Sequence, residues 1–218
     1  TPRTSSAASD VYKRQKLARK LGFEKVSQAK LAVAKKIKSF VAGGGFLFAM
    51  CSATDSYDIA LAAEGIDICG AMFDGDGMDS DIDSKLDYSK TLAFKDFTLV
   101  KNPNQYEFST IDATQTRRIN HKIDFFTLFD FSAKWDPVPT MLCQNHMQII
   151  GGFMGQTTAF KNEYIKSDVL IMGETKATNE ARYIHGELGN GTWTFYGGHD
   201  PEDYQHKVGD PKTDLSLH

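Results

Sequence analysis

A cysteine, a histidine and two carboxylates stand where this sequence changes from one structural pattern to another. Cys51 follows a short continuous apolar run, Phe46-Leu47-Phe48-Ala49-Met50, and precedes a helical pattern from Asp55 to Ala63. A thiol at such a strand-to-helix turn lies at the carboxyl edge of a sheet, where open α/β folds bind ligands. The N–H groups of the next helix favour the thiolate, which is the nucleophilic form. This is the setting of a nucleophile elbow, whose flanks are commonly glycine; here they are Ala49 and Ala53. The competing reading is a buried structural cysteine, a common fate for this residue type.

Gly198-His199-Asp200-Pro201-Glu202 follows the predicted strand Thr192–Tyr196. A histidine leaving a sheet there can take a thiol proton, and a nearby carboxylate, Glu202 or Asp200, can orient its ring. The alternative is a histidine in a turn that caps the next helix. Ser52 and Gly198 are placed with the oxyanion site or pocket. Glu174, just after the predicted strand Asp168–Gly173, either lines that pocket or forms a solvated salt-bridged turn with Lys176.

The elements that must position these groups are partly legible. A helix is predicted from Ser27, as its cap, to Ala42, ended by Gly43-Gly44-Gly45. The unalternating run Phe46–Met50 reads as a strand buried on both faces. Gly65 stops the helix after Cys51. Helix, buried strand and helix within forty residues point to a parallel sheet with helices on its faces. Further strands are predicted at Thr98–Lys101, Phe125–Asp130, Thr140–Gln144, Ile149–Met154, Asp168–Gly173, Ala181–Gly186 and Thr192–Tyr196. The last two flank Gly189-Asn190-Gly191, a hairpin signal.

Other residues carry weaker signals. The acidic stretch Asp74–Asp83 does not fit a calcium loop, because Met78 or Ser84 and Lys90 fall at essential positions. It reads as a solvated loop. His146 and His185 lack zinc-site spacing, so no metal is expected. Phe125, Phe126, Phe129, Phe131 and Trp135 read as packing residues, and Arg182, Tyr183 and Tyr196 receive no role.

The chain has 218 residues, a net charge of −3 with both signs interspersed, and 41% hydrophobic residues. These values suit one soluble globular domain and give no nucleic-acid footprint. No apolar run approaches the roughly 18 residues that would span a bilayer. Cys51, Cys69 and Cys143 are odd in number and unevenly spaced, which argues against a disulfide framework. The segment Ser5–Gln15, SSAASDVYKRQ, resembles the in-frame translation of a transposase-type sequencing adapter. Residues 1–15 are therefore set apart as a disordered extension, and 16–218 are read as one domain fragment. The native chain is expected to begin upstream, so the compartment, cytoplasmic or exported, stays open, as does the oligomeric state.

The stretches GGGFLFAMCSATD (43–55) and GNGTWTFYGGHDPE (189–202) resemble the trehalose-utilisation (ThuA)-like branch of the class I glutamine-amidotransferase-like superfamily. Over most of 16–218 the sequence is closer still to bacterial proteins carried under the label asparagine synthetase B. The resemblance implies a three-layer αβα fold of flavodoxin-like type with a mainly parallel sheet, a cysteine at the elbow and a His–Glu pair after a late strand. It departs from the superfamily pattern in the longer His-Asp-Pro-Glu spacing, in the alanine flanks and in the absence of an earlier glycine-rich oxyanion loop. The label itself implies an N-terminal cysteine and a Ser-Gly-Gly nucleotide loop, and neither appears in this fragment. Three functions follow as expectations. The first is thiol-dependent hydrolysis or amide transfer, with no cofactor and a small amide substrate. The second is processing or binding of a carbohydrate, and the third is an inactive scaffold. Nucleic-acid and membrane partners are not expected.

Overall fold

The structure, a computed structural model, describes residues 3–102, 104–105, 107–113, 125–128, 149–151 and 157–198. Helix α1 (Arg3–Lys20) runs through the segment set apart above and on to Gly22, whose φ of 86° turns the chain. Helix α2 (Val26–Ala42) follows. Its N-cap is Lys25, not Ser27, and the Gln28 carboxamide accepts the Lys25 N–H at 3.3 Å. Gly43 to Gly45 end the helix as expected, with N–H groups returning to Ser39, Val41 and Phe40 carbonyls; Gly44 takes the left-handed φ of 112°.

Strand β1 (Phe46–Met50) leads through Cys51 into α3 (Ala53–Ala62), then the short helices α4 (Ala71–Asp74) and α5 (Ile82–Lys85). The remaining strands are β2 (Phe125–Leu128), β3 (Ile149–Gly151), β4 (Phe160–Lys161), β5 (Leu170–Thr175), β6 (Glu180–Leu188) and β7 (Gly191–Tyr196). Thr98–Lys101 forms only an isolated bridge, Leu99 to Ser109. Thr140–Gln144 lies outside the described residues. None of the described helices is long and apolar enough to cross a membrane.

The sheet order is β1-β7-β6-β5-β2-β3, with β4 pairing β6 off this path. Among the described strands only β1 and β7 run parallel, Phe46 opposite Thr192 through Met50 opposite Tyr196; every other described pair is antiparallel. The expected three-layer αβα, flavodoxin-like, mainly parallel sheet is therefore wrong. The reason lies in the connections. A parallel pair needs a crossover of about a dozen residues or more, and β5, β6 and β7 are joined by turns far too short for one. The Gly189-Asn190-Gly191 hairpin signal already forbade a parallel pairing there.

Helices α2 and α3 pack on one face of the sheet, over a core that includes Leu61, Phe94, Phe97, Phe160, Ile184, Trp193 and Phe195. The buried Asp58 carboxylate of α3 fastens the next segment to this layer. It accepts the N–H groups of Leu92, Ala93 and Phe94 at 2.8, 2.7 and 2.9 Å. Burial still pushes this carboxyl up to about 6, against those three donors.

On the opposite face Phe48 stacks near Tyr196, while Phe46, Phe48 and Met50 stay 52%, 45% and 42% exposed. Strand β1 is thus buried on one face only, unlike the expectation for its apolar run. It occupies the end of the strand order, so its outward side chains lack the neighbours a central strand would supply.

Candidate active site at the end of the parallel strand pair

The apolar run and the glycine caps bring Cys51 to the carboxyl end of β1. Its N–H donates to the Tyr196 carbonyl at 3.0 Å, adding one rung to the β1–β7 ladder. Its φ is 54°, in the left-handed region that non-glycine residues rarely occupy. The turn is closed by Thr54, whose N–H and hydroxyl donate to the Cys51 carbonyl at 3.1 and 2.6 Å. Ser52 is the N-cap of α3 and makes no side-chain cap bond. The Ser52 and Ala53 N–H groups make no backbone hydrogen bond among the described residues. Two first-turn amides therefore remain uncommitted beside a half-buried thiol.

Strand β7 ends next to this turn, and Gly198 follows it with a φ of 120°. Cys51, Ser52 and Gly198 thus converge at one end of the parallel pair. Glu174 lies on the same sheet edge, but in β5, three strands from β1. At the usual strand spacing that is about 14 Å, and its carboxylate faces Lys176 Nζ at 3.6 Å. The salt-bridged turn is the better description of Glu174. His199, Asp200 and Glu202 lie outside the described residues, as do Cys143 and His146.

A second strained residue sits beside the elbow. Thr157 has a φ of 57° and is fully buried. For a β-branched side chain that conformation is a true outlier and persists only where the surroundings enforce it. Here two aspartates do so. The Thr157 N–H donates to Asp112 Oδ2 at 2.9 Å, and its hydroxyl donates to Asp55 Oδ1 at 3.1 Å. Asp55 belongs to the first turn of α3, four residues beyond Cys51. It is completely buried; its Oδ1 also accepts the Ser56 N–H at 2.8 Å, and its Oδ2 has no hydrogen-bond partner among the described residues. Burial, and then the charge of Asp112, push the Asp55 carboxyl up to about 8, so it holds its proton at neutral pH.

The segment carrying Thr157 also abuts the exit of β7. A Cβ built on Gly197 would meet the Thr158 carbonyl oxygen at 2.7 Å, and the Gly197 N–H donates to the Arg182 carbonyl at 2.6 Å. Arg182 is fully buried in β6, its guanidinium 5.9 Å from the Phe126 ring centre.

Comparison with family models, with curated proteins and with solved structures gives no significant match. No kinship decides the chemistry. It rests on the geometry of this one chain.

The other titratable groups do different work. His185 is buried in β6 with Nδ1 2.9 Å from the Thr194 hydroxyl, and burial holds its pKa below the usual imidazole value. Among the described residues, Asp67, Asp74 and Asp76 are the acidic groups close enough to share a cation. Lys25 Nζ already lies 2.8 Å from both Asp67 and Asp76. That ammonium offsets the negative charge of the acidic cluster.

Sequence reasoning did not find Asp55, Thr157 or Asp112. Only Asp55 left a signal, an acidic residue in the first turn of the helix after the cysteine. The strained φ of Thr157 has no counterpart in composition or spacing.

Proposed function

We propose that this chain is a thiol-dependent hydrolase or amide-transfer enzyme in which Cys51 attacks an acyl carbonyl. The observation that carries the reading is the left-handed backbone of Cys51 at the β1–α3 junction, with the Ser52 and Ala53 amides uncommitted beside it. Strained backbone clusters at catalytic turns, and a nucleophile at a strand-to-helix elbow is a recurring solution to acyl transfer.

In this mechanism the Cys51 sulfur adds to the carbonyl carbon, and the resulting oxyanion takes hydrogen bonds from the two amides. His199, which follows Gly198 in sequence, accepts the thiol proton and returns it to the leaving amine. Asp200 or Glu202 orients the ring. Water, or an acceptor amine, then cleaves the thioester and restores the thiol. The substrate is a small amide or ester, and the cycle needs no cofactor.

The test is trapping. The protein is incubated with a panel of activated aryl esters and side-chain amides, and adducts are located by peptide mass spectrometry. A covalent acyl adduct on Cys51, with turnover abolished in Cys51→Ser, is the expected result. Turnover that survives Cys51→Ser overturns the proposal, and so does the absence of any adduct with every ester and amide tested.

A further inference from the structure

Two strained residues, Cys51 and Thr157, lie 106 positions apart in sequence yet are joined through one buried carboxyl. Thr157 meets the first turn of α3 through Asp55 and meets Asp112 through its own N–H. The backbone of its neighbour Thr158 lies close against Gly197, the residue that follows β7, leaving no room for a side chain there. The segment 157–159 is therefore a wedge with α3 on one side and the β7 exit on the other. Asp55 is its contact on the α3 side. Its Oδ1 also accepts the Ser56 N–H at 2.8 Å, a first-turn contact within α3, but Oδ2 is left unpartnered among the described residues, and a buried polar atom without a partner is costly.

We propose that Asp55 is a positioning residue for the Cys51 thiol, acting through Thr157 to hold the elbow helix in register with the exit of β7. The inference rests on the reading of Cys51 as a nucleophile. Asp55 does not touch the substrate in this scheme. It fixes where the α3 amides point, and the wedge carries that position across to the end of β7 at Tyr196 and Gly197. Asp112 also hydrogen-bonds the wedge, and it faces Asp55 across Thr157. Because Asp55 is protonated at neutral pH, asparagine reproduces its neutral shape and keeps an oxygen for the Thr157 hydroxyl. Alanine does neither.

The experiment compares wild type, Asp55→Asn and Asp55→Ala in the full chain. Iodoacetamide alkylation of each cysteine is followed by peptide mass spectrometry from pH 5 to 10, with thermal melting of each variant measured in parallel. A small misplacement of a reacting group costs one to two orders of magnitude in rate. The expected result is therefore a fall of about tenfold or more in the Cys51 rate for Asp55→Ala, with the midpoint of its pH profile moved upward. Asp55→Asn should restore both rate and midpoint. A purely structural role would lower the melting temperature and leave the midpoint where it was, which overturns the inference. Equal Cys51 rates in all three proteins overturn it as well. Wild-type Cys51 reacting no faster than Cys69 across the whole range is a separate failure: it removes the nucleophile reading itself. If Asp55→Ala is too unstable to assay, Thr157→Val breaks the same contact from the other side and is expected to slow Cys51 in the same way. An unchanged rate and midpoint in that variant overturn the inference too.

Discussion

Cys51 and Cys69 are both half-buried thiols, neither in a disulfide, and their surroundings differ. Cys51 occupies a left-handed turn, beside the Ser52 and Ala53 N–H groups at the start of α3, which make no backbone hydrogen bond among the described residues. Cys69 sits among acids. Its N–H donates to Asp67 Oδ1 at 3.0 Å, and burial followed by the Asp74 carboxylate pushes its thiol up to about 12. Helix amides oriented towards a thiol favour the anion, while burial and a neighbouring carboxylate oppose it. Equal exposure therefore does not mean equal chemistry. Backbone direction and local charge separate a candidate nucleophile from a spectator.

The two corners also differ in their buried acids, and there the largest effect is expected. Asp55 is held up to about 8 against an ordinary 3.8. A carboxyl that keeps its proton in the folded state and loses it first in the unfolded state lowers stability as pH rises. Its penalty grows from about pH 4 and levels off above about pH 8. Asp55→Asn removes that dependence, so its stability relative to wild type should climb steadily across the window in urea titrations. A pH-independent difference would show that Asp55 does not titrate as described. Asp74 is also raised by burial, but it is hydrogen-bonded to Cys69 and held beside Asp76, so Asp74→Asn should produce a shallower dependence.

Alkylation separates the thiols directly. At pH 8 a thiol titrating near 12 is ionised to about one part in ten thousand. Cys51 is expected to label on the order of a hundredfold faster than Cys69, and unfolding in urea should erase the difference. Next in size is Gly197→Ala. The added methyl meets the Thr158 backbone and should cost about 2 kcal/mol by the usual penalty for overpacking. It should slow Cys51 and leave Cys69 unaffected; equal slowing at both would mean that the wedge serves the whole domain. The smallest change is at Cys69 itself. Asp74→Asn removes a charge and an acceptor but not the burial, so its labelling should quicken by about tenfold with Cys51 constant.

The elbow was legible in the sequence because its determinants are local. A glycine-ended helix, an apolar run and a second helix bound by Gly65 fix Cys51 within a few residues. The hairpin at Gly189–Gly191 was equally plain. The sheet was misread because the helix–strand–helix pattern around Cys51 was extended to later strands whose connecting turns are too short for a crossover, and β1 was misread because a continuous apolar run was taken to mean burial on two faces. Phe46, Phe48 and Met50 owe their exposure to the place of β1 at the end of the strand order, and no window around residue 48 encodes that. The wedge at Thr157 was illegible for a related reason. Asp55, Asp112 and Thr157 meet across 102 residues of chain, and each alone resembles an ordinary surface polar residue.

The rung between the Cys51 N–H and the Tyr196 carbonyl also governs when the site can exist. A ribosome that has released β1 has made the cysteine but not the strand that sets its backbone. Some 145 further residues must emerge before the parallel pair can close. Closing so long a loop is slow, and until then the apolar run Phe46–Met50 waits without its partner. The elbow is thus among the last features to form, and a chain halted short of β7 would carry Cys51 as an ordinary thiol. Reactivity at this cysteine would report completion of the domain.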